Sequence, residues 1–176
     1  GGHSGDDINK KRANANKLLV RFLLSAFTKY DLYLVDIQSG GLHNAIPREG
    51  YAICAVPMTN KEGIRVDLNL LAAEVEEEYS RTEPSVQFLL ESAAPATTAV
   101  DKDTTRRLLL SLQALHNGIF AMSQDLDWLV ETSSNLASVR REAGAIVVTT
   151  SQRSSIGSAR ENMSTTVRAT FELAGA

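Results

Sequence analysis

Apolar residues recur at three- and four-residue spacing in four stretches of this chain, separated by runs that alternate. Leu18, Leu19, Phe22, Leu23, Ala26 and Phe27 fall on one face and predict a helix from about Lys10 to Phe27. From Asp31 to Ser39 the pattern changes to alternation, with Leu32 and Leu34 on one side and Tyr33, Val35 and Ile37 on the other, which predicts a strand. Gly40-Gly41 breaks it, and Pro47 cannot donate to a ladder in the irregular link that follows. Tyr51–Val56 is a second strand, closed by Pro57. A helix from about Lys61 to Arg81 buries Ile64, Leu68, Leu71, Val75 and Tyr79, and Val86–Ser92 is a third strand.

The small-residue stretch Ala93–Val100 reads as a linker, and after it the order recurs. Asp103 or Thr104 caps a helix carrying Leu108, Leu109, Leu112, Leu115 and Ile119. A long strand from about Leu126 to Glu142 turns through Ala143-Gly144 and returns as Ala145–Gln152. Ser154 or Ser155 caps a last helix bearing Ile156, Ala159, Met163, Val167 and Phe171. Helix-strand-strand-helix thus occurs twice. The expected class is α+β: two ferredoxin-like (βαββαβ) subdomains, 1–93 and 94–176, each an antiparallel sheet with helices on one face. Each lacks one terminal strand, before Gly1 in the first and after Ala176 in the second, as expected of a piece cut from a longer chain.

The bulk numbers narrow the function. At 176 residues, 43% hydrophobic and 22% charged, this is ordinary globular composition. A formal net charge of −3 with no basic block argues against a nucleic-acid or anionic-membrane partner. The single cysteine, Cys54, lies in an apolar run and reads as a core residue, which fits a reducing, cytoplasmic setting. No stretch is long and apolar enough to span a bilayer.

Metal and nucleophile chemistry find no footing. His3, His43 and His116 are not paired at ligand spacing, Asp6-Asp7 reads as a solvated lead-in to a helix, and Glu74, Glu76, Glu77 and Glu78 read as a solvated surface. Ser4, Ser133 and Ser134 have no neighbouring base in sequence. Three residues stand out instead. His3 sits between glycines, where an imidazole is either a solvated surface group or one that meets a ligand near neutral pH. Asn44 follows Gly-Gly at a strand end and offers an amide donor and acceptor, or else satisfies its own turn. Arg153 lies between an apolar strand and a helix start, where a guanidinium can hold a carboxylate or form a surface ion pair.

The strings Gly-Gly-His-Ser-Gly, Arg-x-Asn-Ala-Asn-Lys at Arg12–Lys17, Gly-Gly-x-x-Asn-Ala-Ile-Pro at Gly40–Pro47 and Arg-Ser-Ser at Arg153–Ser155 together resemble the lid domain of the aminoacyl-histidine dipeptidases. These are zinc peptidases of the aminoacylase and carboxypeptidase superfamily. Glu131–Leu136 is similar to the family as well. The resemblance implies that His3 is catalytic, stabilising the oxyanion, while Asn44 orients a dipeptide and Arg153 binds its free carboxylate. It implies that zinc or another divalent metal belongs to a catalytic domain of the same polypeptide, absent here, with no metal ligand and no cofactor in this chain. The chain alone is then inactive, its partners being that domain and a dipeptide substrate. A homodimer is compatible with this fold. Two other readings remain: a dimerisation or interaction module, and a ferredoxin-like regulatory domain binding a small ligand.

Overall fold

The computed structural model describes all 176 residues. The strands are β1 (Gly2–His3), β2 (Tyr33–Gly40), β3 (Ala45–Ile46), β4 (Gly50–Ala55), β5 (Gly118–Met122), β6 (Val130–Glu142) and β7 (Ala145–Ser154). The helices are α1 (Ala15–Lys29), α2 (Lys61–Tyr79), α3 (Lys102–Ala114) and α4 (Gly157–Leu173). The class is α+β, with antiparallel pairing throughout and helices on one face of the main sheet.

β6 is the axis of that sheet. One edge pairs along its length with β7, through the turn at Ala143 and Gly144, both at positive φ. The other edge is shared: Val130–Ser134 faces β5, and Ser138–Arg140 faces Gln38–Gly40 of β2, which carries β4 on its far side. The strands of the two halves are therefore joined through β2 and β6. β1 and β3 form a separate two-residue ribbon.

On that shared edge, between the β5 and β2 contacts, Leu136 has no strand beside it. Side-chain amides fill the gap. Asn117 Oδ1 accepts the Leu136 N–H at 2.9 Å, and the Leu136 carbonyl accepts from Asn14 Nδ2 at 3.0 Å and Asn16 Nδ2 at 2.9 Å. A buried backbone group left unpaired would cost about 1–3 kcal/mol, so these amides do the work of a missing ladder. Gly40 closes the β2 side at φ +70°, where a Cβ would sit 2.1 Å from the Ala137 carbonyl oxygen. Only glycine fits there.

The Leu136 side chain points the other way, into the core. There Val20 and Leu23 of α1, Leu109 and Leu112 of α3, and Met163 of α4 meet Leu34, Ile37 and Val139 of the sheet. α2 lies outside this layer and packs on α1, where Val75 meets Ala13 and Leu18. Lys17 ties α1 to α3: its ammonium donates to the carbonyls of Leu112, Gln113 and Leu115 at 2.8, 2.8 and 3.1 Å, a cation on the negative end of a helix. Burial lowers its pKa. Cys54 packs against the core, and burial pushes its thiol up to about 12.

Several elements differ from the sequence expectation. Val86–Ser92 is irregular, not a strand: Val86 and Phe88 pack on the α1–α2 cluster and no neighbouring strand offers a ladder. α1 begins at Ala15, because Lys11 takes a left-handed conformation and Asn14 is the N-cap, accepting from the N–H groups of Asn16 and Lys17. α3 is capped by Asp101 and stops before Asn117-Gly118, with Gly118 at φ +113°. Ile119 therefore belongs to β5, a strand the periodicity hid, and β6 starts at Val130. α4 has no side-chain cap; the Ser154 hydroxyl accepts the N–H of Ile156, the residue before it.

Candidate functional site

The glycine-rich opening folds into a closed turn on the ribbon. His3 pairs with Ala45, and the Ser4 N–H donates to the Asn44 carbonyl at 2.8 Å. Asp7 closes the turn twice, its N–H donating to the His3 carbonyl and its carboxylate accepting the His3 N–H, both at 2.9 Å. Lys10 donates to the same carboxylate at 2.6 Å, and Arg12 stands 3.8 Å away while also holding the Gly1 carbonyl. The Lys10 hydrogen bond foremost, then the His3 N–H, holds the Asp7 carboxyl down at about 2. Asp7 is thus a clamp rather than a solvated helix lead-in. The glycine at position 2 is required by it, since a Cβ there would fall 2.4 Å from Asp7 Oδ2.

This turn orients the His3 imidazole, whose side chain is 42% exposed. Nδ1 accepts the backbone N–H groups of Gly5 and Asp6, both at 3.3 Å. A neutral ring accepting at Nδ1 carries its proton on Nε2, which makes Nε2–H the free donor. The Asp6 carboxylate stands 3.1 Å from the same Nδ1.

Arg153 arrives from β7, opposite Ser133 on β6, and lies against the same turn. A Cβ on Gly5 would stand 2.9 Å from Arg153 Nη1 and 3.1 Å from His3 Cε1, so imidazole and guanidinium flank one glycine. Arg153 is exposed and takes part in none of the chain's ion pairs. Such a guanidinium is open to a carboxylate from a ligand. Asn44, half-buried, precedes β3 and touches the turn through its carbonyl. The three residues singled out in the sequence, far apart along the chain, thus meet around the turn of residues 3–7.

Sequence reasoning did not assign Asn135. It is 2% exposed, and its Nδ2 donates to the Ala45 carbonyl at 2.8 Å while its Oδ1 lies 3.5 Å from Asn14 Nδ2. The signal available was its place in the Glu131–Leu136 string beside the paired asparagines of Asn14-Ala15-Asn16. No three His, Cys, Asp or Glu side chains cluster in a way that would hold a metal ion. The residues of this chain do not fit one.

No family model matches the chain. It is 35% identical, over a 179-residue alignment spanning all of it, to the cytosol non-specific dipeptidase of Escherichia coli (strain K12). Among solved structures it superposes with a TM-score of 0.96 and 33% identity, over 99% of its length, on the aminoacylhistidine dipeptidase from Vibrio alginolyticus. The chain corresponds to one segment of these dipeptidases. It spans 36% of the length of each. The resemblance read from the glycine and asparagine motifs therefore extends over the whole chain. No helix is long and apolar enough to cross a membrane.

Proposed function

We propose that this chain is the lid of a metal-dependent cytosolic dipeptidase, with 1–93 and 94–176 as its two subdomains, acting on Xaa-His and related dipeptides. The observation that carries the reading is the meeting of His3 and Arg153 across Gly5, with Asn44 anchored to the same turn. Arg153 takes the substrate's free carboxylate in paired hydrogen bonds, which limits the site to short peptides. Asn44 orients the peptide. His3 donates from Nε2 to the oxygen that becomes negative when the scissile carbonyl is attacked. Zinc or another divalent ion, and the base that activates water, belong to a catalytic domain of the same polypeptide. The lid closes on that domain and excludes water. By itself the chain does not turn over substrate.

In the full-length polypeptide, His3→Ala is expected to lower kcat on an Xaa-His dipeptide by about 10²–10³-fold, the scale of a lost oxyanion donor. Arg153→Ala is expected mainly to raise KM. Turnover by the 176-residue chain alone, or wild-type kinetics in both variants, would overturn the reading.

A further inference from the structure

The ribbon that carries His3 is clamped to its own turn by Asp7, but a single side-chain hydrogen bond ties it to the main sheet. The ribbon is two residue pairs long, with β3 in the middle of the link between β2 and β4. The ends of that link are tied by backbone bonds, Gly40 N–H to the Glu49 carbonyl at 3.1 Å and Ala15 N–H to the Pro47 carbonyl at 3.1 Å. At its centre, the side-chain anchor is the bond from Asn135 Nδ2 to the Ala45 carbonyl. Ala45 is the residue paired with His3 and adjacent to Asn44. Asn135 in turn sits on β6 two positions from Ser133, the register partner of Arg153.

One strand therefore carries both halves of the site. We propose that Asn135 is a positioning residue, whose amide fixes the His3–Asn44 ribbon on β6 and so sets its distance from Arg153. This rests on the reading of the site given above. The amide suits the task because it is buried, and because Asn14, reaching toward its oxygen, is already fixed as the cap of α1. Without the Asn135 donor the ribbon keeps its backbone bonds but loses its side-chain hydrogen bond to β6. The imidazole can then drift relative to a carboxylate still held by Arg153. Misplacement on the order of 1 Å costs about 10²-fold in rate.

The test uses the full-length polypeptide with an Xaa-His dipeptide. Asn135→Ala, and Asn135→Ser should the alanine variant fail to fold, are expected to lower kcat by roughly 10–100-fold with KM changed less than about threefold. Asn16→Ala is the control: it removes a bond to the Leu136 carbonyl without touching the ribbon, and is expected to lower the melting temperature while leaving kcat and KM near wild type. His3→Ala and Arg153→Ala are measured beside them. If His3→Ala lowers kcat and Arg153→Ala raises KM while the folded Asn135 variant keeps its kcat, the positioning role is overturned and the site stands. A similar fall in kcat for Asn16→Ala would also overturn it, marking the effect as general loosening. If His3→Ala and Arg153→Ala both behave as wild type, the site and the role of Asn135 fall together.

Discussion

The two sides of β6 at Leu136 are built by opposite means. The side chain of Leu136 enters a layer of Leu, Val, Ile and Met from three helices, where many apolar contacts share the load. Its backbone groups meet three asparagine amides, each hydrogen bond aimed at one atom. The first kind of contact is non-directional and scales with area; the second depends on donor and acceptor geometry. Volume-conserving changes in the apolar layer are tolerated best, whereas an amide in the gap has no apolar equivalent. The site grows from the directional side, since Asn135 links that seam to the ribbon bearing His3.

Perturbing each side should separate them. Leu136→Ala removes a fully buried side chain and is expected to cost about 2–5 kcal/mol of stability, read from the shift in urea midpoint. Asn14→Ala loses the cap of α1 and one donor to Leu136, at about 1–2 kcal/mol by the same measurement, because Asn16 still serves that carbonyl. An equal or larger loss in Asn14→Ala would mean that the seam, not the apolar layer, dominates. The smallest effect lies at the turn. The Asp7 carboxyl is held below its ordinary value of 3.8, at about 2, so the folded turn favours its charged form. That contribution is complete above about pH 4 and is lost as pH falls through about 2. Protection of the His3 amide from hydrogen exchange should fall over the same window, and Asp7→Asn should abolish this pH dependence.

The same contrast explains what the sequence made legible. Leu18 to Phe27, Leu108 to Leu115 and Met163 to Phe171 announced their helices because apolar packing is periodic along the chain. β2 and β4 were legible as strands, but the irregularity between Leu34 and Asp36 brings Ile37 into the core beside Leu34, where strict alternation would put it on the opposite face. Val86 and Phe88 misled because burying an apolar side chain needs only a neighbour, while a strand needs a ladder partner that this stretch lacks. β5 was hidden because Ile119 continues the α3 spacing by chance, and the stop at Asn117-Gly118 is a matter of backbone angle. His3, Asn44 and Arg153 could be named from their motifs, but their meeting across Gly5 depends on the register of β1 on β3 and of β7 on β6. The seam was the least legible part. Its amides lie 19 to 122 residues from Leu136, and nothing local distinguishes a surface asparagine from one that replaces a strand.

Asn14 also imposes an order in time on a chain made from its N-terminus. Its Oδ1 caps α1 with residues two and three positions on, a bond available almost as soon as the helix is synthesised. Its Nδ2 must wait for Leu136, 122 residues later. At about 5–20 residues per second, that is a delay of roughly 6–24 seconds. Through that interval one end of a single amide is already committed while the other is held by water. The seat of the His3 ribbon is thus completed only after most of the chain has been made.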